Sequence, residues 1–574
     1  MAELIIMPKL GFNMDEGKLV QWYKKEGDSV EKGEPLFSIE TDKTSIDIEA
    51  TGSGVVRKIL LEEGESVPVT LPIAIIGTAD ENIDSLMAET GSAPSLEPAP
   101  QNKTAAPAPA PAPSAGQGGR DYQVIVIGGG PGGYVAAIKA AQMGKKTAVV
   151  EKDKFGGVCM NRGCIPTKAL LRSVEALKEI KEHEKFGVVG LDASSAMLDL
   201  GLVQKRKTNV VKQLVGGIGS LLKKNGVIPM EGEGTIKDAH TVVVNGKEFT
   251  TDHIIIASGS TIKSLPIPMN PAMEILNSDS MLEISDIPED VTVIGGGVIG
   301  IEFAYFLANL GTKVTVIEFL DRIIPMVDEE ITRQVTGLLE SLGVTVHTSA
   351  KVTEIKAKEV VFEKDGKQHT VPATKVLMAV GRGPDLGGIP CEALGIKTEK
   401  GAIITDSTLK TSVDNIYAVG DVNGKAMLAH TASAEAIIAV ENICGHRKEM
   451  NYETIPSAIY IQPEIASAGL TEEQARKKFG NVKVGKFPLL ANGKAKVAGE
   501  ENGLIKVIIE PRFNEIVGVH IFSIHATDMI AEAVLAMNLE ATAEEVAMTV
   551  HPHPTVSEIY HEAFHAALDK AIHF

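Results

Sequence analysis

Val124-Ile125-Val126-Ile127-Gly128-Gly129-Gly130-Pro131-Gly132-Gly133 reads as a buried strand running straight into a glycine-rich turn. Gly128, Gly130 and Gly133 fit G-x-G-x-x-G, the spacing that lets backbone approach a pyrophosphate at a helix N-terminus. The spacing predicts a helix from about Gly132 to Met143 and a second strand over Thr147-Ala148-Val149-Val150-Glu151. Glu151, 23 residues after Gly128, stands where a carboxylate accepts a ribose 2′-hydroxyl. A glycine turn alone is a weak signal. Strand, loop, helix, strand and acid in that order are a strong one.

The same unit recurs downstream. Val291-Thr292-Val293-Ile294 leads into Gly295-Gly296-Gly297-Val298-Ile299-Gly300, with Gly295, Gly297 and Gly300 in the fingerprint slots. The second strand, Val314-Thr315-Val316-Ile317-Glu318, ends on an acid again 23 residues on. Two dinucleotide folds imply two dinucleotides. A carboxylate at Glu318 accepts from a free 2′-hydroxyl and repels a 2′-phosphate, so we expect NAD over NADP.

Between the copies lies Gly156-Gly157-Val158-Cys159-Met160-Asn161-Arg162-Gly163-Cys164-Ile165-Pro166-Thr167-Lys168. Four residues between cysteines leave room for a short loop closed by a disulfide. So small a loop adds little global stability. Its expected use is chemical: two electrons held as a dithiol and passed to a neighbouring flavin. Cys391 and Cys444 have no partner motif and read as buried spectators.

The 574 residues exceed one ordinary domain, and 44% hydrophobic content supplies several cores. A net charge of −19 argues against nucleic acid or anionic membrane as main partners. Four cysteines in so long a chain do not make a secreted disulfide framework. Met1 to Lys9 has no basic leader with a long apolar stretch, and no apolar run is long enough to span a bilayer. We expect a cytoplasmic protein without membrane insertion.

Residues 1–78 are turn-rich and acidic, with β-like runs at Glu3 to Met7, Gly17 to Tyr23, Pro35 to Glu40, Ser45 to Glu49 and Gly54 to Leu60. They predict a small all-β sandwich or flattened barrel. Asp42-Lys43-Thr44 falls between two of these runs; composition does not choose between an ordinary turn lysine and an attachment site. Residues 79–119 are Ala/Pro-rich and too poor in large apolar groups to fold. Proline keeps such a segment extended at about 3.1 Å per residue, which fits a passive spacer as well as a swinging arm; what the first domain carries favours the arm. The rest divides into 120–275 and 276–388 for the nucleotide folds, 389–455 as a central domain completing the first site, and 456–574 as an α+β interface module. In that last module strands are expected at Leu504 to Ile509 and Glu515 to Phe522, and helices at Ala526 to Met537 and Ala543 to Val550.

Two C-terminal motifs need weighing. His551-Pro552-His553-Pro554-Thr555-Val556-Ser557-Glu558 brings imidazole and carboxylate together, as a thiol's general base requires. The bland alternative is a proline-rich turn. His561-Glu562-Ala563-Phe564-His565 matches H-E-x-x-H, the zinc-protease helix. Only nine residues follow and no third ligand is obvious, so no metal site is expected there.

The Cys159-x4-Cys164-Ile165-Pro166-Thr167-Lys168 run, the two fingerprints, Ala418-Val419-Gly420-Asp421 and His553-Pro554-Thr555-x-x-Glu558 together resemble the pyridine nucleotide–disulfide oxidoreductases, over about residues 121–574. Within that family the chain is most similar to the members that oxidise dihydrolipoyl groups. The first domain resembles a lipoyl domain, with Lys43 at the position that receives lipoate; a biotin acceptor more often reads Met-Lys-Met. The resemblance implies FAD on the first fold and NAD on the second. It implies that Cys159 exchanges with the dithiol, Cys164 lies against the flavin as a thiolate, and Lys168 and Glu302 pair beside it. It puts Asp421 on the ribityl chain and Glu151 on the adenosine ribose, and adds Gly381 and Ala429 to the nucleotide contacts. It makes His553, oriented by Glu558, the thiol base, supplied from the partner subunit of a homodimer. The family often has His-Ala-His where this chain has His551-Pro552-His553, a departure that stiffens the turn.

The implied activity is reoxidation of protein-bound dihydrolipoamide to lipoamide with reduction of NAD+ to NADH. The implied partner is the lipoylated acyltransferase of a 2-oxo acid or acetoin dehydrogenase complex. A glutathione reductase is disfavoured by Glu318 and the lipoyl-like domain. A mercuric reductase is disfavoured by the absence of a C-terminal Cys pair from His561 to Phe574. A lipoyl-domain scaffold without enzymatic activity is the reading from another class.

Overall fold

The computed structural model describes residues 3–8, 16–40, 45–50, 52–69, 71–78 and 119–574. The chain divides into two compact units, one within residues 1–107 and one within 108–574.

The small unit is two four-stranded antiparallel sheets. One runs in the order Glu3–Ile6, Pro72–Gly77, Gly54–Ile59, Ser29–Val30; the other Ser45–Glu49, Pro35–Glu40, Glu16–Trp22, Ser66–Pro68. Alternating apolar residues turn Leu19, Phe37, Ile39, Val56 and Ile73 into one fully buried core. Trp22 leans on Phe37 at 5.1 Å between ring centroids. The three strands at Ser29–Val30, Ser66–Pro68 and Pro72–Gly77 were not among the expected runs. Two are too short to show alternation. The third, Pro-Ile-Ala-Ile-Ile-Gly, is buried on both sides and so does not alternate at all. The strands flanking 41–44 pair with Glu40 opposite Ser45; Lys43, and all of 79–119 except Gly119, lie outside the described residues.

In the large unit the first sheet has five parallel strands, ordered Ile228–Glu231, Thr147–Glu151, Tyr122–Ile127, Lys247–Ile256, Ile416–Ala418. The long Lys247–Ile256 strand also pairs antiparallel, through its first half, with Thr241–Val244, which pairs with Gly234–Asp238. Helix Pro131–Gln142 packs on this sheet, one residue earlier at each end than its pattern predicts, because Pro131 suits the first helical position. The second sheet repeats the plan: Glu274–Leu276, Lys375–Met378, Asp290–Ile294, Lys313–Ile317, Thr345–His347, all parallel. Continuous Val/Ile runs form these strands because both faces are covered.

The third sheet is antiparallel: Ser457–Ile459, Glu464–Gly469, Ile516–Ser523, Leu504–Ile509, Lys483–Pro488. Helices Ala526–Asn538 and Glu558–Ala567 cover it. The helix expected over Ala543 to Val550 stops at Ala547, where Thr549 N–H turns back to Val546 O ahead of His551-Pro552. One apolar cluster joins Leu170 and Val174, Val293, Phe303 and Phe306, and Ile459, Ile465 and Phe522. The cysteine helix, the second nucleotide fold and the antiparallel sheet therefore share a core. Among the described residues no helix is long and apolar enough to cross a membrane.

Candidate active site

Both glycine turns are built alike. Gly128 and Gly295 sit at φ +107° and +108°, where an L side chain is strained, and a Cβ on Gly133 or Gly300 would strike the carbonyl oxygen of Gly128 or Gly295. The middle fingerprint glycines differ from these. A Cβ on Gly297 would meet nothing within 4 Å, and on Gly130 only Gly157 Cα at 3.9 Å. Each turn thus presents bare backbone to open space, at the start of a helix with no side-chain cap, Pro131–Gln142 or Val298–Asn309. That is a cradle suited to a pyrophosphate.

The two acids close the turns. Glu151 Oε2 accepts from Gly129 N–H at 2.7 Å and its Oε1 from Asp153 N–H at 2.8 Å. Glu318 Oε2 accepts from Gly296 N–H at 2.6 Å and its Oε1 from Leu320 N–H at 2.7 Å. Each oxygen keeps a lone pair for a ribose hydroxyl.

Cys159 lies on the short helix Gly157–Arg162 and Cys164 opens the helix Cys164–Lys181, with Gly163 between them. The chain breaks there because Gly163 takes φ −145°, ψ −114°. Asn161 Nδ2 braces the turn by donating to Phe155 O and Gly157 O, both at 3.0 Å. The cysteines are free, Cys159 half-buried and Cys164 exposed. The disulfide that the spacing suggests is the oxidised partner of this dithiol. The two thiols are unlike. The hydrogen bond from Cys159 lowers Cys164 to about 7, with help from the Lys168 ammonium and the helix N-terminus. The same hydrogen bond, together with burial, pushes Cys159 up. Deprotonation is thus biased to Cys164.

One turn along that helix, Lys168 Nζ donates to both oxygens of Glu302 at 2.9 Å and lies 4.5 Å from the centre of the Tyr460 ring. Glu302 is 3% exposed, and its Oε1 also accepts from Tyr460 N–H at 2.9 Å. Three segments, from the cysteine helix, the second nucleotide fold and the antiparallel sheet, meet at this ion pair.

Asp421 lies in the turn Gly420–Asn423, at the end of the Ile416–Ala418 strand. Its Oδ2 accepts from Ser260 Oγ at 2.5 Å, and Ser260 is gripped by Arg382 through Nε at 2.8 Å. Gly381, at φ +96°, precedes that arginine. Ala429 opens the helix Ala429–Ile443, again without a side-chain cap. Sequence reasoning missed Glu435. Fully buried, it accepts from Gly420 N–H at 2.5 Å, Asn423 Nδ2 at 3.0 Å and Tyr452 O–H at 2.6 Å, and burial pushes its carboxyl up. A lone acid on the apolar face Ala432-Ala436-Ala439 was the available signal. Tyr460, Ser260 and Arg382 gave none, since only folding brings them to the site.

The two histidines of the C-terminal motif part company. His551 turns inward, its Nε2 2.9 Å from Glu532, which raises its pKa. His553 is 79% exposed, with Nδ1 2.9 Å from Glu558 Oε1. Burial works to raise the Glu558 carboxyl, but Thr555 N–H and His553 outweigh it and hold it low. His561 and His565 stack edge to face at 4.4 Å, while Glu562 turns to His573 Nδ1 at 2.7 Å. The H-E-x-x-H carboxylate thus points to a different partner from its histidines. Cys391 is buried and Cys444 half-buried.

Two nucleotide cradles around a polarised thiol pair define the class. The pyridine nucleotide-disulphide oxidoreductase model matches residues 122–436, and its dimerisation-domain model residues 455–564. The chain belongs to that family. The biotin-requiring enzyme model, which covers biotin and lipoyl domains, matches residues 3–76. Among curated relatives, a dihydrolipoyl dehydrogenase of Bacillus subtilis is 44% identical over 474 residues, covering 79% of this chain and 99% of that protein. One from Corynebacterium glutamicum is 39% identical over 470 residues, covering 79% and 99%. The mitochondrial dihydrolipoyl dehydrogenase 2 of Arabidopsis thaliana is 40% identical, covering 80% and 93%. The HOCl-induced flavoprotein disulfide reductase RclA from Escherichia coli superposes with a TM-score of 0.68 at 26% identity, over 77% of this chain and 99% of that one.

Proposed function

We propose that the protein oxidises dihydrolipoyl groups to lipoyl groups with NAD+, in the cytoplasm, as the flavoprotein of a 2-oxo acid or acetoin dehydrogenase complex. The relatives named dihydrolipoyl dehydrogenase support this, as does the N-terminal match to a lipoyl-type domain. The observation that carries the reading is the placement of the thiols: Cys164 opens its helix one turn ahead of the Glu302-anchored Lys168 ammonium, which favours its thiolate, while burial and its hydrogen bond push Cys159 up. A disulfide oxidoreductase needs that division, one sulfur to exchange with substrate and one to stay behind as thiolate.

FAD fits the first cradle, held by Gly128, Gly130, Gly133, Glu151, Asp421 and Ala429; Gly295, Gly297, Gly300, Glu318 and Gly381 would hold NAD+. When bound, FAD supplies the relay that carries an electron pair from the sulfurs to the nicotinamide. In the oxidised enzyme a lipoyl thiol loses its proton to His553 of the partner subunit, whose other nitrogen faces Glu558. The thiolate attacks Cys159 Sγ, the Cys159–Cys164 bond breaks, and Cys164 leaves as a thiolate. The second lipoyl sulfur then attacks the mixed disulfide, which closes the lipoyl ring and releases Cys159 as a thiol. The substrate has lost two electrons and the cysteine pair has gained them. Lys168, anchored by Glu302, steadies the negative charge left on Cys164.

The exposure of His553 supports a role across a dimer interface, since among the described residues its ring pairs with Glu558 alone and its other nitrogen is left to face outward. The acyltransferase of the complex would bring the lipoyl group, and a lipoate on Lys43 would be a second donor. Tethering commonly raises effective concentration to the millimolar range.

The test is oxidation of dihydrolipoamide with NAD+ by the purified yellow protein, together with a long-wavelength absorbance band on partial reduction. Colourless protein, or glutathione disulfide reduced with NADPH in preference, would sink the reading. For the tethered donor, turnover of lipoylated enzyme without free lipoamide should vanish in Lys43→Arg; unchanged turnover would refute that part.

A further inference from the structure

The second nucleotide fold holds a backbone conformation that the first obtains from glycine. In each fold the second glycine is gripped at both its N–H and its carbonyl. Gly129 N–H donates to Glu151, and its carbonyl accepts from Gly156 N–H at 2.8 Å. Gly296 N–H donates to Glu318, and its carbonyl accepts from Ile324 N–H at 2.7 Å. Gly156 sits at φ +92° without difficulty, whereas Ile324 sits at φ +39°, crowded for a β-branched residue. Such a conformation persists only where its surroundings over-determine it.

The surroundings include a buried ion cluster four residues on. Val327 N–H donates to Ile324 O at 2.9 Å, and Asp328 follows. Asp328 caps the helix Glu329–Ser341, its Oδ1 accepting from Glu330 N–H at 3.1 Å. It also reaches the antiparallel sheet, where Lys506 Nζ donates to Oδ1 at 2.8 Å, and the helix Glu472–Phe479 beside it, where Glu472 N–H donates to Oδ2 at 3.1 Å. Lys506 is 3% exposed and is shared with Glu472 at 2.6 Å and Glu330 at 3.3 Å. Lys486 binds Glu330 at 2.7 Å, Arg476 binds Glu472 at 2.7 Å, and buried His520 lies opposite Lys506 across the sheet. The segment Ile324–Asp328 is thus tied at one end to the glycine turn and at the other to the interface module. In the first fold the chain beyond Gly156 runs instead into the cysteine helices.

We propose that Lys506 is a positioning residue for the second nucleotide site: through Asp328 it holds Ile324 in the left-handed conformation that aligns the Gly296 peptide and Glu318. This rests on the reading of that fold as the NAD+ site. Loss of the latch lets Ile324 relax, turns the Gly296 peptide and weakens nucleotide binding. The dithiol half-reaction meets this fold at Glu302, whose partners Lys168 and Tyr460 lie outside the latch, and keeps its rate.

The test uses the full-length holoenzyme. Lys506→Gln should raise the NADH dissociation constant, read by fluorescence titration, and the NAD+ KM by about tenfold, the scale of one charge-assisted hydrogen bond. Glycine takes φ > 0 without strain, so in an Ile324→Gly background the same Lys506 change should cost less than about threefold, a coupling read as a double-mutant cycle. Equal losses in both backgrounds, or unchanged NADH affinity in Lys506→Gln, would overturn the proposal. Should Lys506→Gln not fold, Asp328→Asn keeps the helix cap and leaves Lys506 paired with Glu472 and Glu330, and the same comparison decides. Wild-type protein that binds NADH but does not oxidise dihydrolipoamide would overturn the functional reading and leave this one standing.

Discussion

The first nucleotide fold and the second are one plan used for two purposes. Gly128, Gly133 and Glu151 recur 167 residues later as Gly295, Gly300 and Glu318, with φ values at the leading glycine that differ by one degree. What differs is everything the plan leaves free. The fifth residue of the helix is Val135 in one fold and Glu302 in the other, and only Glu302 reaches Lys168. The segment beyond the acid becomes the cysteine helices in the first fold and the Ile324–Asp328 strap in the second. Nucleotide handling is common to both, and the chemistry sits in the departures.

Cutting the first fold's departure should have the largest effect. Cys164→Ser should abolish dihydrolipoamide oxidation yet leave reduction of the bound flavin by NADH measurable in stopped flow, because the second cradle is untouched. If the NADH reaction disappears as well, the two halves are not separable as drawn. His553→Gln should lower dihydrolipoamide turnover by about 10²- to 10⁴-fold, the usual worth of a general base, and again spare the NADH reaction. A change of less than threefold would remove His553 from the mechanism.

The closing glycines separate the two folds. Gly133→Ala and Gly300→Ala force the same collision, but the first should yield protein depleted in FAD and the second protein that keeps its flavin and loses affinity for NAD+. Flavin content by absorbance and the NAD+ KM distinguish them, and identical phenotypes would argue against separate cradles. Glu318→Gln should narrow the preference for NAD+ over NADP+ by about tenfold, the scale of a hydrogen bond to a charged group. Wild-type enzyme that prefers NADP+ would contradict the role given to that carboxylate.

The mildest effect is with pH. Cys164 is depressed, so its thiolate is complete well above its pKa and is lost as pH falls through about 7. The long-wavelength band of the two-electron-reduced enzyme should fade over that interval. Lys168→Met should move the midpoint upward, because an ammonium that favours the thiolate is gone. An unmoved midpoint would leave the Cys159 hydrogen bond and the helix N-terminus as the causes.

Much of this was legible in the chain as written. The two turns were readable because glycine spacing, strand hydrophobicity and the closing acid are local and repeat. The strands at Leu504–Ile509 and Ile516–Ser523 were found to within a residue because long apolar runs are local as well. Glu435, Tyr460, Ser260 and Arg382 were not found. Each acts through a partner distant in sequence, as Tyr460 does through Glu302, and no period or motif marks such a pair.

The amino-acid order alone determined the reaction class: a thiol pair beside one nucleotide fold, a second fold behind it and a histidine–carboxylate motif at the end. These are statements about composition at fixed spacing, and short-range sterics and hydrogen bonding enforce them wherever they occur. Only the tertiary structure decided that Tyr460 joins the Lys168–Glu302 pair, that His553 faces outward while His551 faces in, and that Ile324 is held against its preference. Those outcomes depend on burial and on the joint field of groups from several elements, which exist only once the chain has packed.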